Sequence, residues 1–332
     1  MKSERIDWID TAKGIGIILV VFSHLTTDGQ FLRNFIFSFH MPLFFFLSGF
    51  LSVRSGKAKK YSFREYLLRR IKRLYVPYFI CLVLDHLAAR LVPTLANYEP
   101  NLTHFLRNMI AMDLKYLVNG PIWFLVVMFY LNLVFFFLLK LPRKRLYPVF
   151  CLFVLGTAFL TRDLPFGLGY IFHGGAFFLL GYFFNPVYKQ QAGRGRSAFS
   201  IPAIPVCAVL LSIGCTRNSM VDLHWFQYGN FYLYYLNALL GIALTILVSI
   251  QLKKLRLFQY LGRNSEVILC LHYPFTRILM PKIFLLLGLS EYLYHPVTES
   301  ILTILILCCI ACVIEVYGRI KAAGIIKKTA LK

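Results

Sequence analysis

The chain has 332 residues, of which 58% are apolar and 15% charged, with a mean hydropathy of +0.66. Ordinary soluble domains are about 25% charged, so this composition excludes a soluble two-domain protein and equally a disordered one. The net charge of +22 comes with too much apolar sequence for a nucleic-acid binder. The combination points instead to a polytopic membrane protein with basic loops on one face.

A span needs about 20 apolar residues, and windows of that kind predict ten: 12–27, 35–53, 74–92, 121–139, 146–161, 168–187, 199–215, 229–250, 264–288 and 299–318. With the N-terminus in the cytoplasm, 28 of the 36 basic residues fall in cytoplasmic segments and 8 on the opposite side. That asymmetry predicts an all-α polytopic protein of about ten transmembrane helices, with both termini inside. Residues 1–332 read as a single domain, with a basic amphipathic cytoplasmic segment at 54–73 and a short basic tail at 319–332. The charge is thereby a topological signal and requires no nucleic acid. All eight cysteines lie in or beside apolar runs, unlike a secreted disulfide framework. Cys309 and Cys312 read as packing residues rather than metal ligands, and no metal is expected.

The first span carries Asp10, Lys13 and His24. Eleven residues separate Lys13 from His24, which on a helix is about 20° beyond three turns and about 16 Å along the axis. Asp10 falls about 40° short of four turns from His24, so all three share one stripe. Ionisable groups at this depth are costly and mark candidate sites, although Lys13 snorkelling to the inner interface and His24 capping the outer end would also account for them. The second span opens with His40-Met41-Pro42, His40 lying near the same outer interface as His24. A lone histidine of this kind is more often hydrogen-bonded structure than catalyst. The 54–73 segment follows, with Phe63, Tyr66, Leu67, Ile71 and Leu74 at helical spacing among basic residues, the pattern of an interfacial helix. Arg70 and Arg73 stand one turn apart, and guanidinium forks match phosphate oxygens such as those of coenzyme A; anchoring to lipid headgroups explains the same charges. The ninth span is interrupted by Pro274 and by the Arg277 to Lys282 stretch, and His272 sits just before that proline, where freed backbone and an imidazole can line a cavity.

In order, Arg5 to Gly14 with Val20-Val21-Phe22-Ser23-His24, then Phe39-His40-Met41-Pro42-Leu43-Phe44-Phe45 with Ser48-Gly49-Phe50, then Arg69 to Pro77, then Pro121-Ile122-Trp123-Phe124-Leu125, and finally Leu261 to His272, resemble the motifs of acyltransferase family 3. The likeness is to its branch of integral membrane O-acyltransferases that O-acetylate cell-surface sugars. That family more often has Arg where this chain has Lys13, which keeps the charge and loses the fork. The resemblance implies transfer of an acyl group from an acyl-CoA donor, usually an acetyl group from acetyl-CoA, to a hydroxyl of an envelope glycan or lipid-linked sugar, in a bacterial inner membrane. It implies His24 as the catalytic base with Lys13 and Asp10 beside it, Arg69, Arg70 and Arg73 at the donor, and His40, Trp123 and His272 toward the acceptor. A transporter or flippase of an envelope precursor is the competing class, since spans with buried polar groups suit it as well.

Overall fold

The structure, a computed structural model, describes residues 6–26, 31–55, 61–91, 102–111, 114, 117–159, 164–193 and 201–322. Residues 56–60 of the basic segment and most of the expected tail, 323–332, lie outside the described residues. Among the described residues the protein is helical, with one extended pairing between Asp222 and Gln227.

The principal helices are α1 (Asp7–Ser23), α2 (Phe31–Phe37), α3 (His40–Ser55), α4 (Phe63–Arg70), α5 (Val76–Leu91), α6 (Trp123–Leu138), α7 (Leu146–Phe159), α8 (Tyr170–Gly193), α9 (Ala203–Arg217), α10 (Phe231–Gln251), α11 (Arg256–Arg263), α12 (Ser265–Tyr273), α13 (Met280–Leu286) and α14 (Pro296–Ala322). Among the described residues, five helical stretches are long and apolar enough to cross a membrane: Phe31–Val53, Gly120–Leu138, Phe231–Gln251, Ser265–Leu286 and Pro296–Ala322. The other expected spans coincide with helices that are shorter or less apolar.

Prolines set the breaks, because each removes the N–H that would bond the carbonyl four residues earlier. Pro42 leaves the Ser38 carbonyl without its helical donor, and the chain breaks between α2 and α3 at Ser38 and Phe39. Pro77 does the same to Arg73, and there the chain widens instead into a π-helical turn over Ile71–Tyr75, closed by the Val76 N–H donating to the Ile71 carbonyl. The expected boundary between a surface helix and the third span at residue 74 is therefore absent: helical backbone is continuous from Phe63 to Leu91. It starts at a capping box, in which the Ser62 hydroxyl accepts from the Glu65 N–H at 3.3 Å and the Ser62 N–H donates to Glu65 at 2.9 Å. The Ser62 N–H and hydroxyl hold the Glu65 carboxyl below its ordinary value. The apolar face of α4 packs on α6, the Tyr66 hydroxyl donating to Asn132 at 3.1 Å and its ring lying 4.7 Å from that of Phe136.

Pro274 produces the interruption expected in the ninth span. Residues Pro274–Leu279 form another π-helical turn, between α12 and α13, closed by the Met280 N–H donating to the Phe275 carbonyl. The Cys270 carbonyl, freed by Pro274, accepts from the buried Asn119 side-chain amide at 2.9 Å. A loop residue thus meets the demand that a helix defect creates.

Two helix crossings bring backbone against backbone. A Cβ on Gly49 of α3 would collide with the Phe178 carbonyl of α8, and one on Gly181 of α8 with the Phe46 carbonyl of α3. A Cβ on Gly14 of α1 would strike the Phe258 carbonyl of α11, and one on Gly262 of α11 the Asp10 carbonyl of α1. Small residues at such crossings let helices approach where lipid supplies no hydrophobic drive for association. These contacts hold α1 near the centre of one apolar core that runs from Trp8 to Ile310.

Candidate active site

His24 is the C-terminal cap residue of α1, its N–H donating to the Val20 carbonyl at 3.3 Å. Its ring faces a cavity of about 360 Å³, within the usual range for small-molecule sites of about 300–1,000 Å³. The walls come from five parts of the chain: the end of α1, α2 with the start of α3, the Gly120–Trp123 turn, the Asp222–Trp225 turn, and α12 with the π-helical turn after it. No hydrogen bond joins the His24 imidazole to any described residue. The ring is held by packing, with the rings of His272, Tyr273 and Phe37 at 5.2, 5.4 and 6.0 Å.

His40 and His272 are held differently. Nδ1 of His40 lies 2.9 Å from the Ile36 carbonyl, and Nδ1 of His272 lies 3.0 Å from the carbonyls of Ile268 and Leu269. A carbonyl only accepts, so in both rings Nδ1 carries the proton and the neutral tautomer presents Nε2 as an acceptor. Nε2 of His272 is buried without a hydrogen-bond partner among the described residues, behind His24, whereas His40 reaches the cavity wall.

The turn that roofs the cavity lies in the connection between α9 and α10. The Asp222 side chain accepts from the His224 N–H at 3.0 Å, and the Asp222 N–H and carbonyl exchange bonds with Gln227 at 2.9 Å each. Nε2–H of His224 donates to the Leu114 carbonyl at 2.8 Å, and its ring stacks on Trp123 at 5.9 Å and 7°. Burial pushes the Asp222 carboxyl above its ordinary value, opposed by His224 and Arg33, and the same burial pushes the His224 imidazole down.

The structure brings His24, His40, Trp123 and His272 to one place and leaves Asp10 and Lys13 out of that cavity. Asp10 stands at the other end of α1, where Arg263 of α11 holds its carboxylate at 3.0 Å. Lys13 is half-buried at the same end, beside the Gly14 crossing. The basic residues of the α4 region are also dispersed. Arg69 lies over Tyr61 at 4.3 Å, Arg70 over Tyr66 at 4.7 Å, and Arg73 meets Glu266 of α12 at 3.4 Å. Of these, Arg70 keeps a buried Nε with no hydrogen bond to any described residue. Among the described residues no cluster of three metal-ligating side chains occurs.

Sequence reasoning did not single out Arg33, Asp222, His224, Trp225, Tyr273 and Arg277 as site residues. Arg33 and Arg277 were legible as charges on the less basic side, but Arg33 read as a loop residue and Arg277 as part of the interruption of the ninth span. The Asp222 turn carries no motif and reaches the site only by tertiary folding.

A family model described as an acyltransferase domain matches residues 6–317, nearly the whole chain. The chain belongs to acyltransferase family 3. With its apolar helices, this makes it a multi-pass membrane acyltransferase. Neither the curated proteins nor the solved structures compared with this acyltransferase gave a match.

Proposed function

We propose that this acyltransferase moves an acetyl group from acetyl-CoA to a hydroxyl of an envelope glycan or lipid-linked sugar, in a bacterial inner membrane, with ten spans and both termini cytoplasmic. The observation that carries the reading is the cavity beside His24, whose imidazole faces open space without a hydrogen-bond partner among the described residues. A sugar hydroxyl is a weak nucleophile at neutral pH, and a neutral imidazole is the side chain suited to take its proton. As that proton moves to His24, the hydroxyl oxygen attacks the thioester carbonyl. The carbon–sulfur bond then breaks, coenzyme A leaves as the thiol after taking up the proton, and the sugar holds the new ester.

The two ends of α1 divide the labour. Arg69, Arg70 and Arg73 offer cations to the donor's phosphates from the inner side, and Lys13 with Asp10 borders the path between donor and cavity. His40 and Trp123 form acceptor walls, and His272 holds the His24 ring from behind. Mixing the purified protein with radiolabelled acetyl-CoA and a lipid-linked oligosaccharide extract tests the reading. Label entering the glycolipid as a base-labile ester supports it; donor binding without any transfer favours a transporter.

A further inference from the structure

The cavity beside His24 holds two guanidinium groups and one carboxylate: Arg33, Arg277 and Asp222. Arg33 and Asp222 answer one another at 4.0 Å, with side chains 8% and 11% exposed, and Arg33 also lies over the Phe37 ring at 4.5 Å. Arg277 makes no ion pair or hydrogen bond with any described residue. With the histidines neutral, the walls therefore carry one positive charge in excess.

Arg277 reaches this wall because of a backbone defect. It stands in the π-helical turn that Pro274 forces, and π-helical turns are rare and concentrate at functional sites. Half-buried cations within a membrane-spanning segment are costly unless something answers them. Trp225 and Tyr273 share the wall, offering flat faces to a sugar ring beside the charge.

Resting on the acyl-transfer reading of this cavity, we propose that the acceptor is anionic, carrying a carboxylate or phosphate that Arg277 binds while a nearby hydroxyl faces His24. A guanidinium fork fits either group with two parallel hydrogen bonds. Such a clamp fixes the hydroxyl's approach. A neutral sugar leaves the half-buried arginine unanswered, which is the stronger form of discrimination.

The test uses full-length protein in nanodiscs and four probes: a hexuronic acid methyl glycoside, its neutral methyl ester, and one neutral sugar linked either to polyprenyl pyrophosphate or to an uncharged polyprenyl glycoside. Binding is measured by competition, and acyl transfer from labelled acetyl-CoA is followed in parallel, for wild type, Arg277→Gln and Arg277→Lys. Wild type should prefer the charged member of at least one pair by about tenfold or more. Arg277→Gln should bring that ratio close to one, and Arg277→Lys should restore part of it. Preference within the uronic pair identifies a sugar carboxylate, and preference within the lipid pair identifies the carrier phosphate. Equal binding within both pairs, or a ratio that survives Arg277→Gln in folded protein, overturns the proposal. Arg277-dependent binding without transfer to any probe would leave the anion site standing and count against acyl transfer. Transfer with no charge preference would do the reverse.

Discussion

Gly262→Ala isolates the contact that fixes α11 on α1. The new methyl would strike the Asp10 carbonyl, which is backbone inside a helix and has no rotamer to escape into, so the helices must separate. Overpacking of this kind costs about 1–3 kcal/mol. Separation also stretches the 3.0 Å Asp10–Arg263 pair, whose side chains are 17% and 41% exposed, adding only about 0–1 kcal/mol after solvent screening. Against this, alanine favours the helix over glycine by about 0.8–1 kcal/mol. The net expectation is a loss of about 1–2 kcal/mol. Gly318→Ala is the matched control, because a Cβ there, just before the last turn of α14, meets nothing within 4 Å and only the propensity gain applies. Thermal unfolding in detergent, followed by size exclusion of the surviving fraction, should place Gly262→Ala below wild type and Gly318→Ala at or above it. Equal melting of the two variants would refute the backbone-contact argument.

Arg70→Ala with Arg73→Ala should weaken acetyl-CoA binding by more than tenfold in folded protein, since charge-assisted contacts to phosphate contribute about 1.5–3 kcal/mol each; unchanged donor affinity would return the segment to packing and lipid anchoring. Single cysteines replacing Ser62 and Trp225 on a cysteine-free background should report opposite sides of the membrane. An impermeant maleimide should label position 225 in intact cells and position 62 only after lysis, and the reverse would overturn the sidedness drawn from the basic residues.

Much of the helical layout was legible because apolar runs and prolines act locally. The Pro274 interruption followed from a missing N–H, and the capping residues of α4 are written as Ser62 and Glu65. The continuity of α4 into α5 was not legible, because nothing in the sequence says whether Pro77 breaks a helix or widens it into a π-helical turn. At the candidate site, His24, His40, Trp123 and His272 were each singled out, yet their convergence depends on helix crossings set by glycines far from them. The shared phase of Asp10, Lys13 and His24 was legible, as was the separation of about 16 Å along the axis between Lys13 and His24; phase alone does not say that the cavity reaches only the His24 end of α1. Arg277 and the Asp222 turn enter the cavity through a backbone defect and a loop, and neither leaves a periodic trace.

His24 is where the account is most exposed. The rate of label transfer from acetyl-CoA to the lipid-linked acceptor should be compared for wild type, His24→Ala, His40→Ala and Lys13→Arg, at matched amounts of folded, membrane-inserted protein. General-base catalysis contributes about 10²–10⁴-fold, so His24→Ala should slow transfer at least about a hundredfold, while Lys13→Arg, which keeps the charge, should hold most of the rate. Near-normal transfer by His24→Ala would contradict the account and place the base elsewhere in the cavity.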